Sequence, residues 1–223
     1  MICFLGTSHA AQHLKAAAIK RGNKVCEKPE NASVIFISED TPTDESGKRD
    51  LRPIRELMAK AASYSAQMVL TSQVPPGFTR SLGLANIYHQ AETLRIKDAE
   101  ERAFSPDYIA VGGPQGVSRD YAEYLLSFHC PVLRMTWEEA EFSKIAVNMM
   151  LAAQVDYSNM MSKYAHHFGA NWEVVCKSLR LDKRIGPNAY LTPGRWQDSL
   201  HLLRDFNTLQ QVEKESNWQD AME

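Results

Sequence analysis

The sequence predicts an α/β fold: a mainly parallel sheet with helices on both faces, followed by an all-α region built on one long helix. Three observations carry this reading. Short apolar runs at 33–37, 68–71, 107–111 and 131–134 alternate with helical stretches at about 51–65, 79–86, 95–103 and 117–128. The opening run, 2–5, ends at Gly6 and leads into a helical pattern from about His9 to Arg21, closed by Gly22. After Arg134 the character changes. Residues 137–168 contain neither Gly nor Pro, and Phe142, Ile145, Met149, Ala152, Val155 and Met160 recur at helical spacing.

The strand, tight turn and helix at the start are the opening of a Rossmann-like nucleotide-binding unit. Lys24-Val25-Cys26 is the candidate for its second strand, and the chain then runs within a few residues into the apolar stretch at 33–37. The unit is therefore shortened, and it occupies residues 1–134. A helical domain follows over 135–223. Its long helix ends at Gly169, and further helices are expected at 172–181 and about 197–214. A helix this long and apolar leaves a large patch on a small domain, which predicts a homodimer through 137–168.

Composition narrows the function. With 25 basic and 27 acidic residues in 223, the chain is nearly neutral and shows no nucleic-acid surface. No apolar run approaches a membrane span, and the start lacks the basic region of a signal peptide. Cys3, Cys26, Cys130 and Cys176 have no metal-ligand spacing and read as reduced thiols of a cytoplasmic protein. His166-His167 has no third ligand nearby and reads as a solvated helix end, so no metal site is expected.

The segment from Ser72 to Arg80, Ser-Gln-Val-Pro-Pro-Gly-Phe-Thr-Arg, joins a strand to a helix. Two prolines and a glycine there fix the backbone and expose amides, which suits an anion or phosphate-bearing ligand. A rigid connector is the plainer alternative. Four further blocks stand in a telling order. They are Val34–Ile37 followed by Thr41-Pro42-Thr43-Asp44-Glu45, Ala91-Glu92-Thr93-Leu94-Arg95-Ile96-Lys97-Asp98-Ala99, Glu141 to Asn148, and Asp182-Lys183-Arg184-Ile185-Gly186. Together with the proline turn they resemble the UDP-glucose/GDP-mannose dehydrogenase family, with its T-P-T, S-T-V-P-P-G-T-T, P-E-F-L-R-E-G-D-A, E-L-x-K-x-x-x-N and D-x-R-I-G motifs.

The resemblance implies an NAD-dependent oxidoreductase acting on the CH–OH group of a UDP- or GDP-sugar. Gly6, Ser8, Ala11, Thr41, Pro42, Thr43, Ser72 and Glu92 would line the cofactor. Glu141, Lys144 and Asn148 share one helix face, and spacing alone is equally met by a solvated Glu–Lys stripe. The resemblance makes Lys144 and Asn148 the donors to a developing oxyanion. Glu92 would position a water, and Asp205 would complete the catalytic set. Arg95 and Asp98 complete their block or form a surface pair.

Departures from the family pattern set expectations of their own. Ser8 stands in place of a glycine that lets backbone approach the pyrophosphate, and the acidic residue that grips the ribose has no counterpart at the right spacing. Glu27 and Glu30 are the nearest substitutes. Weak or absent NAD binding follows. Downstream of Gly194, His201 takes the place of the catalytic cysteine, and the loop's glycines are replaced by Trp196, Asp198 and Ser199. Without a thiolate the aldehyde cannot be trapped for a second oxidation, so a uronic acid is not expected. The resemblance also makes this a truncated member, expected to lack the family's C-terminal, nucleotide-holding domain. Either a sugar-nucleotide enzyme of altered activity or an inactive dimeric scaffold fits this pattern.

Overall fold

The computed structural model describes residues 1–44 and 48–215, so Glu45 of the second motif lies outside the described residues. The chain divides into two compact units. The first comprises Met1–Asp44 and Arg49–Lys144, and the second takes in Lys48 and the described residues from Ile145 onward.

The first unit is a six-stranded sheet in the order β1 (Ile2–Leu5), β2 (Val34–Ile37), β3 (Gln67–Leu70), β4 (Ile87–Gln90), β5 (Ile109–Gly112), β6 (Val132–Met135). Every neighbouring pair is parallel except β4–β5. Alternation along the strands builds two cores. Ile2, Val34, Phe36, Val69, Tyr88 and Val111 face one way, with Ala18 of α1 (His9–Lys20) and Tyr121 and Tyr124 of α5 (Arg119–Leu126). Cys3, Ile35, Ile37, Met68, Leu70 and Ile87 face the other, with Ile54 and Met58 of α2 (Arg52–Ala61) and Phe78 of α3 (Phe78–Ser81). Helices on both faces are what buries a parallel sheet whose strands are apolar on both sides.

Two expectations need correction. The second-strand candidate at 24–26 shrinks to a single bridge, Ile2 with Val25. A strand that the apolar pattern did not suggest appears instead at Ile87–Gln90. The helix expected over 79–86 stops at Ser81, because Gly83 turns the backbone at φ 67°. Between α3 and β5 a short 3-10 turn, Ile96–Asp98, precedes α4 (Ala99–Phe104).

β4 carries His89, only 2 % exposed, and its Nδ1 finds no hydrogen-bond partner among the described residues. Burial pushes the imidazole down from 6.5 to about 3. The unfolded chain therefore binds a proton between these values that the folded chain refuses. Stability should fall as pH drops through this window, by up to about 1.4 kcal/mol per pH unit. Denaturation midpoints from pH 7 to 4 should fall less steeply in His89→Phe than in the unsubstituted protein; identical slopes would contradict the assignment.

α6 (Trp137–His167) is a single uninterrupted helix of 31 residues. Thr136 and Glu139 start it with a reciprocal capping box: Thr136 N–H donates to Glu139 Oε2 at 2.7 Å, and Glu139 N–H donates to Thr136 Oγ1 at 3.3 Å. In the second unit, polar side chains of α6 hold the segment after α7 (Trp172–Leu181). Gln154 accepts from Tyr190 N–H, Asp156 from Trp196 Nε1–H, and Asn159 exchanges two bonds with the Gly194 backbone. Trp172, Cys176 and Leu191 form a small core beneath it. α8 (Leu200–Glu215) completes the unit.

Candidate active site

The C-terminal ends of β1, β2 and β3 form one crest, which gathers several of the residues expected at a cofactor. Gly6 sits in the β1–α1 turn at φ 112°, and a Cβ there would lie 1.8 Å from Ser38 O. Its glycine is thus required by the chain's own loop. Ser8 is the N-cap of α1, accepting from Ala11 N–H at 3.1 Å. Its hydroxyl also lies 3.0 Å from Ser38 O and 2.9 Å from Ser38 Oγ, and the residue is buried. Ser8 therefore points inward, and the expectation that its side chain obstructs a ligand fails on that orientation.

The rest of the crest is also tied internally. Ser72 Oγ accepts from Glu39 N–H at 2.7 Å. Thr41 Oγ1 donates to Gln73 O at 3.1 Å, Pro42 O accepts from Asp50 N–H, and Thr43 bridges to Arg49. Glu39 was missed by sequence reasoning. Its carboxylate accepts from Thr7 N–H at 2.8 Å, with the Thr7 hydroxyl 3.1 and 3.3 Å from its two oxygens. Two successive acids, Glu39-Asp40, directly after a strand were the signal that could have revealed it.

The proline turn is also occupied. Phe78 N–H bonds Pro75 O, with Pro76 and Gly77 (φ 88°, ψ −9°) at the centre of a type II turn. The amides it presents, Gly77 N–H and Thr79 N–H, donate to the two oxygens of Glu141 at 2.6 and 2.7 Å. Glu141 is 1 % exposed. Burial pushes its carboxyl above the ordinary value, against the lowering effect of hydrogen bonds from Thr79 and Gly77. The anion suited to this turn is the chain's own.

Glu92 caps its own loop, accepting from Leu94 N–H, and lines a small cavity with Thr71, Gln90, Arg102, Tyr108 and Tyr124. Arg95 and Asp98 form an ion pair with each other. In the second unit Asn148 Nδ2–H donates to Asp205 Oδ2 at 2.6 Å, both side chains being buried, and Arg204 Nε lies 3.7 Å from Asp205. Lys144 lies one turn before Asn148 on α6, half-buried. His201 is exposed in the first turn of α8. Asp182 folds its motif into a closed turn, accepting from Arg184 side chain and backbone and from Ile185 and Gly186 N–H.

Burial disfavours the thiolate at three of the four cysteines. Burial pushes Cys3 up to about 11 and raises Cys130 and Cys176, and Cys176 Sγ lies against Leu191 O. Among the described residues no group of three His, Cys, Asp or Glu side chains could hold a metal ion. No helix among them is long and apolar enough to cross a membrane.

Residues 138–222 match the central domain of the UDP-glucose/GDP-mannose dehydrogenase family. A UDP-glucose 6-dehydrogenase of Rickettsia felis is 29% identical over 195 residues, 79% of this chain, and one of Pseudomonas aeruginosa is 30% identical over 198 residues, 78% of this chain. This chain belongs to the UDP-glucose/GDP-mannose dehydrogenase family. A solved UDP-glucose dehydrogenase from Pyrobaculum islandicum shares its fold, with a TM-score of 0.66 at 23% identity over 94% of this chain and 67% of that one. The chain spans 43% of the length of the two curated dehydrogenases. At the crest two donors of the β1–α1 turn are already taken, Thr7 N–H by Glu39 and Ala11 N–H by Ser8.

Proposed function

We propose that this chain is a homodimeric, divergent member of the dehydrogenase family that does not carry a sugar nucleotide to its uronic acid. The thiols carry the reading. Oxidation of an alcohol to an acid needs a thiolate to hold the aldehyde while the second hydride leaves. Here His201 stands at the matching place, on a helix, and Cys176, the one cysteine after Cys130, is buried with a raised pKa. In the second unit the buried Asn148–Asp205 pair keeps an amide donor for polarising a single alkoxide. A crest whose polar groups satisfy one another favours the second reading, a dimer that keeps the fold for binding or assembly without turnover.

Restoring a thiol tests the local part of this proposal. His201→Cys is expected to yield no acid from UDP-glucose or GDP-mannose with NAD, because the residue lies on α8 and Trp196, Asp198 and Ser199 replace the loop's glycines. Acid formed by that single change would contradict it.

The dimer rests on α6. Phe142, Ala146, Met150, Ala153, Tyr157, Met160 and Tyr164 are all exposed and recur at intervals of four, four, three, four, three and four residues. That is the seam of a helix pair. Ile145 is fully buried and Met149 half-buried, so neither belongs to this exposed seam. Met150 is 61% exposed, and Met150→Glu therefore spares the core. Sedimentation at tens of micromolar, roughly the range of ordinary dimers, should show a dimer that Met150→Glu converts to monomer. A monomeric unsubstituted protein would overturn the assignment.

A further inference from the structure

The β1–α1 turn carries a fixed negative charge that no ligand supplies. Backbone amides and the dipole of a twelve-residue helix make this end of α1 attractive to an anion, and its first turn has no acidic residue of its own. The charge comes from the neighbouring loop. Glu39 reaches across from the end of β2 to Thr7, taking its N–H at 2.8 Å and contacting its hydroxyl. The loop is locked from both sides. Asp40 N–H donates to Glu39 Oε1 at 3.1 Å, and Glu39 N–H donates to Ser72 Oγ at 2.7 Å. Beneath them, Ser38 O sits so close to Gly6 that no side chain fits between, and the Ser8 hydroxyl bonds the same oxygen.

We infer that Glu39 is an internal stand-in for phosphate, a specificity-determining residue that bars dinucleotides and nucleoside diphosphates from the crest of the first unit. A diphosphate entering here would have to displace a carboxylate from the Thr7 donors. It would then lie beside that displaced charge and Asp40, whereas charge-assisted bonds from the amides are what normally hold it. The inference goes beyond the proposal above. A missing thiolate stops the second oxidation, whereas Glu39 would deny the first one its hydride acceptor.

Calorimetric titration of the full chain with NAD tests this, using the unsubstituted protein, Glu39→Gln and Glu39→Ala. Expected are no saturable binding by the unsubstituted protein up to roughly 1 mM and affinity at least about tenfold higher in Glu39→Ala. Glu39→Gln, which keeps an acceptor but loses the charge, should fall between. Micromolar NAD binding by the unsubstituted protein overturns the inference while leaving the thiol argument standing. So does a Glu39→Ala protein with native circular dichroism that binds no better. Should Glu39→Ala fail to fold, amide exchange at Thr7 in the unsubstituted protein decides. Protection supports the carboxylate's hold, and exchange at the rate of an unprotected loop overturns it.

Discussion

Glu141→Ala is expected to destabilise the first unit by about 3 kcal/mol, since two charge-assisted hydrogen bonds of roughly 1.5–3 kcal/mol each are lost, offset by relief of a buried charge. The half-buried Gly77 amide and the buried Thr79 amide would keep their places without an acceptor. The type II turn that aims them would then have nothing to hold, and β3, α3 and the start of α6 would lose their common fastening. For a chain of this size the loss corresponds to a drop in Tm of about 6–12 °C. Glu141→Gln keeps one carbonyl acceptor and should lose about half as much. Thermal and urea denaturation measure both. A change below about 0.5 kcal/mol, the level of ordinary surface substitutions, would mean that water replaces the carboxylate.

This contact illustrates what the sequence could and could not reveal. The turn at 75–78 was legible, because Pro-Pro-Gly fixes a backbone with exposed amides whatever surrounds it. Its occupant was not, since Glu141 lies 62 and 64 residues away from the amides it accepts. The apolar strands β2 and β3 were legible from composition alone. β4 was not: His89 and Gln90 are polar yet buried, so the run Ile87-Tyr88-His89-Gln90 carries no apolar signature.

The same limit applies to the candidate site. Motifs resembling the family's picked out Asn148 and Asp205, which meet 57 residues apart in sequence. They could not show that Ser8 turns inward, because a β1–α1 turn of any orientation has the same letters. Nor could they show that Glu39 crosses from one strand end to the next. A carboxylate that satisfies a neighbouring helix end leaves no periodicity, only an acidic pair where a phosphate would be repelled.

The central claim is that this dehydrogenase fold does not complete a two-step oxidation, and product counting tests it most directly. The unsubstituted chain would be incubated with NAD and UDP-glucose, and in parallel with GDP-mannose, while NADH is followed by absorbance and the sugar C6 by NMR. With no activated thiol among Cys3, Cys130 and Cys176 and Glu39 on the Thr7 amide, no uronic acid should form. Any turnover should stop at one NADH per sugar, and Lys144→Ala should abolish it, one oxyanion donor being worth about 2.7–4 kcal/mol. Accumulation of uronic acid with two NADH per sugar would contradict the account.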